Sequence, residues 1–298
     1  MDNKIKIVSL SYNCMFKSIF GNNKYMLSKL VQSILDYCEL NINVMNKELI
    51  MINNELPLNN VNDRQLVCDY RIKIDDNTEL NIESNRTHYP GLEERNMCYC
   101  FKIYCDHFNA GDDYDKFEKY FLVQVNFNNF SNPENDTIKD FYLLDVKNAK
   151  NYLTKNVCFI NVDIASCFKK FYNENKLKEM SNLEKFGAML KTDYLEDISN
   201  ILWSMIDMKN RNKFLKQVED MSKDKDILEA IKLEDNIEYR FDLVREEAEQ
   251  QGFERGIEQN TIEMIQQMLK NDASLDFISK VTGKTIEEIK EIEKFVEK

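Results

Sequence analysis

Glycine and proline are scarce in this 298-residue chain, with 7 and 3 respectively, and that scarcity excludes collagen-like, linker-rich and low-complexity architectures. Histidine occurs only at His88 and His107. The eight cysteines, Cys14, Cys38, Cys68, Cys98, Cys100, Cys105, Cys158 and Cys167, contain no CxxC pair, so the usual spacings of a structural zinc site cannot be assembled. They read instead as buried thiols in a reducing compartment. No apolar run approaches the ~20 residues needed to span a bilayer, and the opening MDNKIKIVSLSYN lacks the hydrophobic core of a signal peptide. Both absences point to a cytosolic (cytoplasmic) protein with no membrane partner.

Positive charge is also short: 40 Lys and Arg against 52 Asp and Glu give a formal charge of -12. Polyanions are bound chiefly through clustered Lys and Arg, so the total argues against a nucleic-acid role. Its distribution removes that argument. Residues 1–172 hold 20 basic and 23 acidic side chains, and 173–298 hold 20 and 29. The acidity is concentrated in the C-terminal part, and charge neither supports nor excludes DNA as a ligand of the N-terminal part.

What is present suits one sizeable core and a second, smaller unit: 43% of residues are hydrophobic and 31% charged. Met26, Leu27, Leu30, Val31, Ile34 and Leu35 predict a helix over about 23–38. Alternating apolar and polar residues predict strands over 67–74 and 79–85, with DDNT as the turn between them. Leu92 to Phe108 reads as a second helix, AGDDYDKF as a loop or helix start, 120–130 as an alternating strand and 156–164 as a short apolar one. Beyond Phe171 every pattern is helical, including LEKFGAMLKTDYLEDISNILWSMI and two short helices joined at Gly283. The expected class is therefore α/β over 1–172, a helical domain over 173–245, and a helical tail over 246–298 with a small helix-turn-helix-like end.

The register of the strand pair follows from its pattern. Burying both apolar faces together requires paired residue numbers with an even sum, because a one-residue slip turns one strand inside out. A sum of 152 leaves the loop Asp75-Asp76-Asn77, with Asn77 in a left-handed conformation. It pairs Tyr70 with Ile82, Ile72 with Leu80, Lys73 with Glu79, Arg71 with Asn81, and Asp69 with Glu83. Two carboxylates directly opposite have β-carbons about 5 Å apart, where like charges destabilise. A bound divalent cation would reverse the sign. The alternative is a solvated charged face on which Arg71, diagonally placed, offsets both acids.

FKSIFG near the start, Asp69 on one strand, NIES and Asn85 on the next, Arg95 with the spaced Tyr99 and Tyr104, and the terminal SLDFISKVTGKTIEEI form an ordered set. Together they resemble the recombination-promoting nuclease and transposase group of the PD-(D/E)XK superfamily, bacterial and mobile-element proteins. The Asn-rich, Lys- and Ile-heavy composition agrees with an AT-rich genome. The resemblance implies a restriction-endonuclease-like core, a mixed sheet flanked by helices. It further implies DNA phosphodiester hydrolysis with Mg²⁺, or Mn²⁺, held by Asp69 and Glu83 and the main-chain carbonyl of Ser84. Where the superfamily has a lysine two residues after the glutamate, and this group a glutamine, this chain has Asn85. Where relatives carry an acidic residue three positions before the Phe of FKSIFG, it has Asn13. The alternative outcome is a nuclease-fold protein that binds DNA or a protein partner without cleaving.

Arg95 opens its helix as a candidate phosphate contact or as a partner of Asp69 or Glu83. Tyr99 and Tyr104 read as core and rim packing. His88 and Asp106-His107 lack a serine or cysteine at triad spacing. Trp203 sits in an apolar stripe and is expected in the core. Ala248, Gly252 and Gly256 recur every four residues along one helical face, a candidate for homo-oligomer formation. The final IEEIKEIEK is too acidic to rest on DNA phosphates.

Overall fold

The computed structural model describes residues 4–56, 67–87, 89–130, 136–144, 152–172 and 176–293. In chain order the elements are α1 (Asn13–Gly21), α2 (Lys24–Tyr37), β1 (Ile50–Met51), β2 (Tyr70–Lys73), β3 (Thr78–Asn85), α3 (Leu92–Asp106), α4 (Tyr114–Lys119), β4 (Phe121–Asn128), β5 (Ile138–Leu144) and β6 (Tyr152–Asp163). Helices follow: α5 (Ile164–Tyr172), α6 (Asn182–Lys191), α7 (Leu195–Leu202), α8 (Met208–Met221), α9 (Lys225–Lys270), α10 (Leu275–Thr282) and α11 (Ile286–Glu293). The strands form one mixed sheet in the order β1-β2-β3-β4-β6-β5. The β3–β4 and β4–β6 pairs are parallel and the others antiparallel.

The expected hairpin register is the observed one: Tyr70 pairs with Ile82, Arg71 with Asn81, Ile72 with Leu80 and Lys73 with Glu79. The turn differs. Among the described residues the only non-glycine positive φ values are at Glu39 and Asp272, so Asn77 is not left-handed. Asp75 closes the turn instead, its Oδ1 accepting the Asn77 N–H at 2.9 Å, a local side-chain bond that removes the need for an unusual φ.

One face of the sheet carries Tyr70, Ile72, Leu80, Ile82, Val123, Val125, Phe127, Cys158, Ile160 and Val162 into the main core. The helices against it supply Phe16 and Phe20 from α1, Leu30 and Ile34 from α2, Phe186 from α6, Ile198 from α7 and Phe214 from α8. Local signals place these helices. Asn23 caps α2 by accepting the Met26 N–H at 3.1 Å, and Ser181 with Glu184 forms a reciprocal capping box on α6. The opposite face is covered by α3, whose Tyr99, Cys100 and Ile103 pack with Tyr120, Leu122 and Val157.

Several elements depart from expectation. Helix α1 and strands β1 and β5 add to the expected elements; β1 has only two residues, and β5 pairs with β6 through register shifts. The stretch from Leu183 onward is two helices, α6 and α7, broken at 192–194. Cys98 and Cys105 are exposed rather than buried, although all eight thiols are free. Trp203 is 71% exposed, with the Arg211 guanidinium 3.9 Å from its ring centroid. It follows the last residue of α7, where the apolar stripe has already turned toward solvent.

The chain forms two compact units, Met1–Lys232 and Leu233–Lys298. In the second, Ile265, Ile278 and Ile289 make a small core of their own. Gly283, at φ 71°, ends α10 in the left-handed conformation that lets α11 begin. Among the described residues no helix is long and apolar enough to cross a membrane.

Candidate active site

Asp69 stands immediately before β2 and Glu83 near the end of β3, and both are buried, at 5% and 1% exposure. Burial excludes the solvated charged face. Helix α3, entered through Gly91 at φ 84°, brings Arg95 and Tyr99 within electrostatic reach of Glu83. Asp69 lies one residue outside the paired register, and the two acids adjoin through main-chain donors: the Asp69 N–H donates to Glu83 Oε1 at 3.3 Å, and the Ser84 N–H donates to Asp69 Oδ2 at 2.8 Å. Asn54 fixes Asp69 from behind, donating to its carbonyl at 2.8 Å.

Arg71 does not offset this pair. Its Nε is bonded to Glu79 Oε1, and Tyr120 donates to Glu79 Oε2 at 3.1 Å. Asp69 is met by a different cation, Lys17 of α1, whose Nζ lies 3.0 Å from Oδ1. Burial, then the Asp69 charge, pushes the Glu83 carboxyl up to about 8; the Asn81 amide and Arg95 offset this only in part.

Glu83 also ends a row of buried amides. Asn81 Nδ2 donates to Glu83 Oε1 at 3.1 Å and to Gln124 Oε1 at 2.8 Å. Gln124 donates to Asn126 at 2.7 Å, Asn126 to Asn161 at 2.9 Å, and Asn161 to Glu93 of α3 at 3.4 Å. Asn85, on the same strand face as Glu83, donates to Asn128 at 2.9 Å. Among the described residues, Asn81 Oδ1, Asn128 Nδ2 and both amide atoms of Asn96 are buried without a partner. Buried polar atoms of this kind mark places where water or ligand completes the network.

Arg95 makes no ion pair with either acid. It bonds the Tyr89 hydroxyl and lies 5.2 Å from the Tyr99 ring centroid, and its Nε is buried without a partner. Tyr99 is buried and Tyr104 packs on Phe108 and Tyr120, as their sequence positions predict. Asn13, exposed, opens α1 one turn before Lys17. His107 stacks on Tyr120 with centroids 3.6 Å apart, and His88 lies outside the described residues.

The chemistry available is therefore that of two adjacent carboxylates, with Lys17 paired to Asp69, Arg95 acting on Glu83 at longer range, and a row of amides. Among the described residues no three His, Cys, Asp or Glu groups converge as metal ligands. Two carboxylates alone suit a hard, largely hydrated cation such as Mg²⁺ better than zinc. Lys17 and the amide row escaped the sequence reading. Lys17 lies inside the FKSIFG segment, and Gln124 and Asn126 are the polar half of the alternation over 120–130, the signal that could have found them.

A mixed six-stranded sheet flanked by helices and followed by further C-terminal helices is a fold of restriction-endonuclease type. The chain belongs to the PD-(D/E)XK nuclease family transposases, whose family model matches residues 12–248. No curated protein and no solved structure matches it.

Proposed function

We propose that the chain is a DNA endonuclease that hydrolyses phosphodiester bonds with Mg²⁺, or Mn²⁺ in its place, held by Asp69 and Glu83. The observation that carries this reading is the burial of the two acids in contact, with Arg71 committed to Glu79 and the Glu83 carboxyl raised to about 8. Bound there, a divalent ion supplies charge stabilisation at the phosphate and lowers the pKa of an attacking water. The chain's own groups do the rest. The amide row orients the Glu83 carboxylate, and Arg95, bonded to Tyr89 and near the Tyr99 ring, is the candidate contact for a phosphate oxygen. Asn85 stands on the Glu83 side of β3, where it can orient water but cannot act as a lysine would.

One observation favours a second reading. The Asn85 amide is already bonded to Asn128 and carries no charge, which suits a nuclease-fold protein that binds DNA or a protein partner without cleaving. Plasmid nicking in Mg²⁺ by the wild type, Asp69→Asn and Glu83→Ala decides between them. Cleavage by the wild type and not by the variants supports hydrolysis; equal cleavage by all three removes it. DNA retention without cleavage supports the second reading.

The same proposal places the protein in the cytoplasm of a bacterium, as a mobile-element nuclease acting in DNA recombination. Residues 1–172 are taken as its nuclease-like domain, 173–245 as a helical domain and 246–298 as the tail. Self-association is assigned to the tail, where Ala248, Gly252 and Gly256 are exposed and a Cβ added at either glycine would meet nothing within 4 Å beyond its chain neighbours and the backbone of its own helix. A monomeric mass by light scattering would remove that part.

A further inference from the structure

We propose that Lys17 is a built-in cation that occupies Asp69 until a divalent ion replaces it. This rests on the reading of Asp69 and Glu83 as the metal-holding pair. The Lys17 ammonium lies 3.0 Å from Asp69 Oδ1, and the two side chains differ in access: 37% of Lys17 is exposed against 7% of Asp69. The carboxylate cannot turn to water, but the ammonium can.

The backbone beneath Lys17 is fixed. Its carbonyl accepts the Tyr70 hydroxyl, and the neighbouring Phe16 is fully buried, edge-on to the Tyr70 ring at 5.5 Å. Helix α1 therefore holds its place while the four-carbon stem swings. Tyr70 directly follows Asp69, so one contact sets both the lysine and the acid.

The charges favour exchange. Lys17 compensates Asp69 alone, and Glu83, 3.3 Å from the Asp69 N–H, has no cation at bonding distance among the described residues. A single charge therefore serves a pair that could carry two. A divalent ion between the acids compensates both, and the ammonium beside it then becomes a like-charge neighbour that leaves for the site's rim. There it stands where an incoming phosphodiester needs a cation. Asn85, the neutral group of the strand, cannot take that part.

The test is Mn²⁺ binding without DNA, measured by calorimetry on the full chain, together with melting temperature in chelator and in Mn²⁺. Lys17→Met keeps the stem and removes the charge. It is expected to bind Mn²⁺ about tenfold tighter than wild type, equivalent to ~1.4 kcal/mol, to melt lower in chelator, and to regain the loss in Mn²⁺. Lys17→Arg, which keeps the charge, is expected to bind no tighter than wild type. Unchanged or weaker binding by Lys17→Met, with binding by wild type, overturns the exchange and leaves the metal site standing. No uptake by either protein overturns both. Should Lys17→Met fail to fold in chelator, recovery on adding Mn²⁺ supports the exchange and failure to recover overturns it.

Discussion

Arg71 and Glu79 form a buried ion pair on the hairpin, their side chains only 11% and 5% exposed. The partnership withholds from Glu83, four residues along the same face of β3, the guanidinium nearest to it in sequence register. It divides the polar face into a satisfied end and an unsatisfied one.

Removing one partner of such a pair strands the other charge. Arg71→Met should therefore destabilise the fold by about 3–5 kcal/mol in urea unfolding. The double variant Arg71→Met/Glu79→Gln should recover much of that loss, because no buried charge remains. A single variant as stable as wild type would show that the pair is not closed in solution.

The raised Glu83 carboxyl makes stability depend on pH in a defined direction. The folded state keeps a proton that the unfolded chain releases, between the ordinary 4.5 and about 8. This contribution is complete below about 4.5 and is lost as pH rises through about 8. Melting in chelator should fall across that window in wild type, and Glu83→Gln should flatten the fall. A wild-type profile that rises instead would contradict the burial of Glu83 beside Asp69.

Gly187 of α6 has no room for a methyl group, since a Cβ there would meet Cys167 Sγ and Val162 Cγ1, each at 2.9 Å. Both belong to the packed core of α5 and β6. Gly187→Ala should cost about 1–3 kcal/mol through overpacking, although alanine is the better helix former. Chemical denaturation measures it.

Trp203 is the sole tryptophan and, at 71% exposure, should be quenched readily by acrylamide in the native state. Arg211→Ala, which removes the guanidinium over its ring, should increase that access further. Native fluorescence resistant to quencher would return Trp203 to the interior.

Much of the hairpin is legible in the chain because its evidence is local. Tyr70, Ile72, Leu80 and Ile82 share a parity, and parity alone sets which residues can face one another. Gly283 announces the break between α10 and α11 for a similar reason, as its backbone must turn left-handed. Trp203 misled because helical periodicity says which residues share a face but not where the face stops being covered. The solvated reading of the hairpin's polar side failed likewise: nothing in residues 67–85 states that distant parts of the chain bury Asp69, Glu79, Asn81 and Glu83.

The order of residues thus determined, unaided, the pairing of β2 with β3 from Tyr70 opposite Ile82 to Lys73 opposite Glu79, because side-chain alternation is written in each strand. Tertiary structure decided the rest: that Asp69 and Glu83 are buried and adjoin, that Arg71 turns to Glu79, and that Lys17 comes across from α1. Those outcomes depend on contacts between segments far apart in the chain, where packing and charge compensation choose among partners that local pattern leaves equivalent.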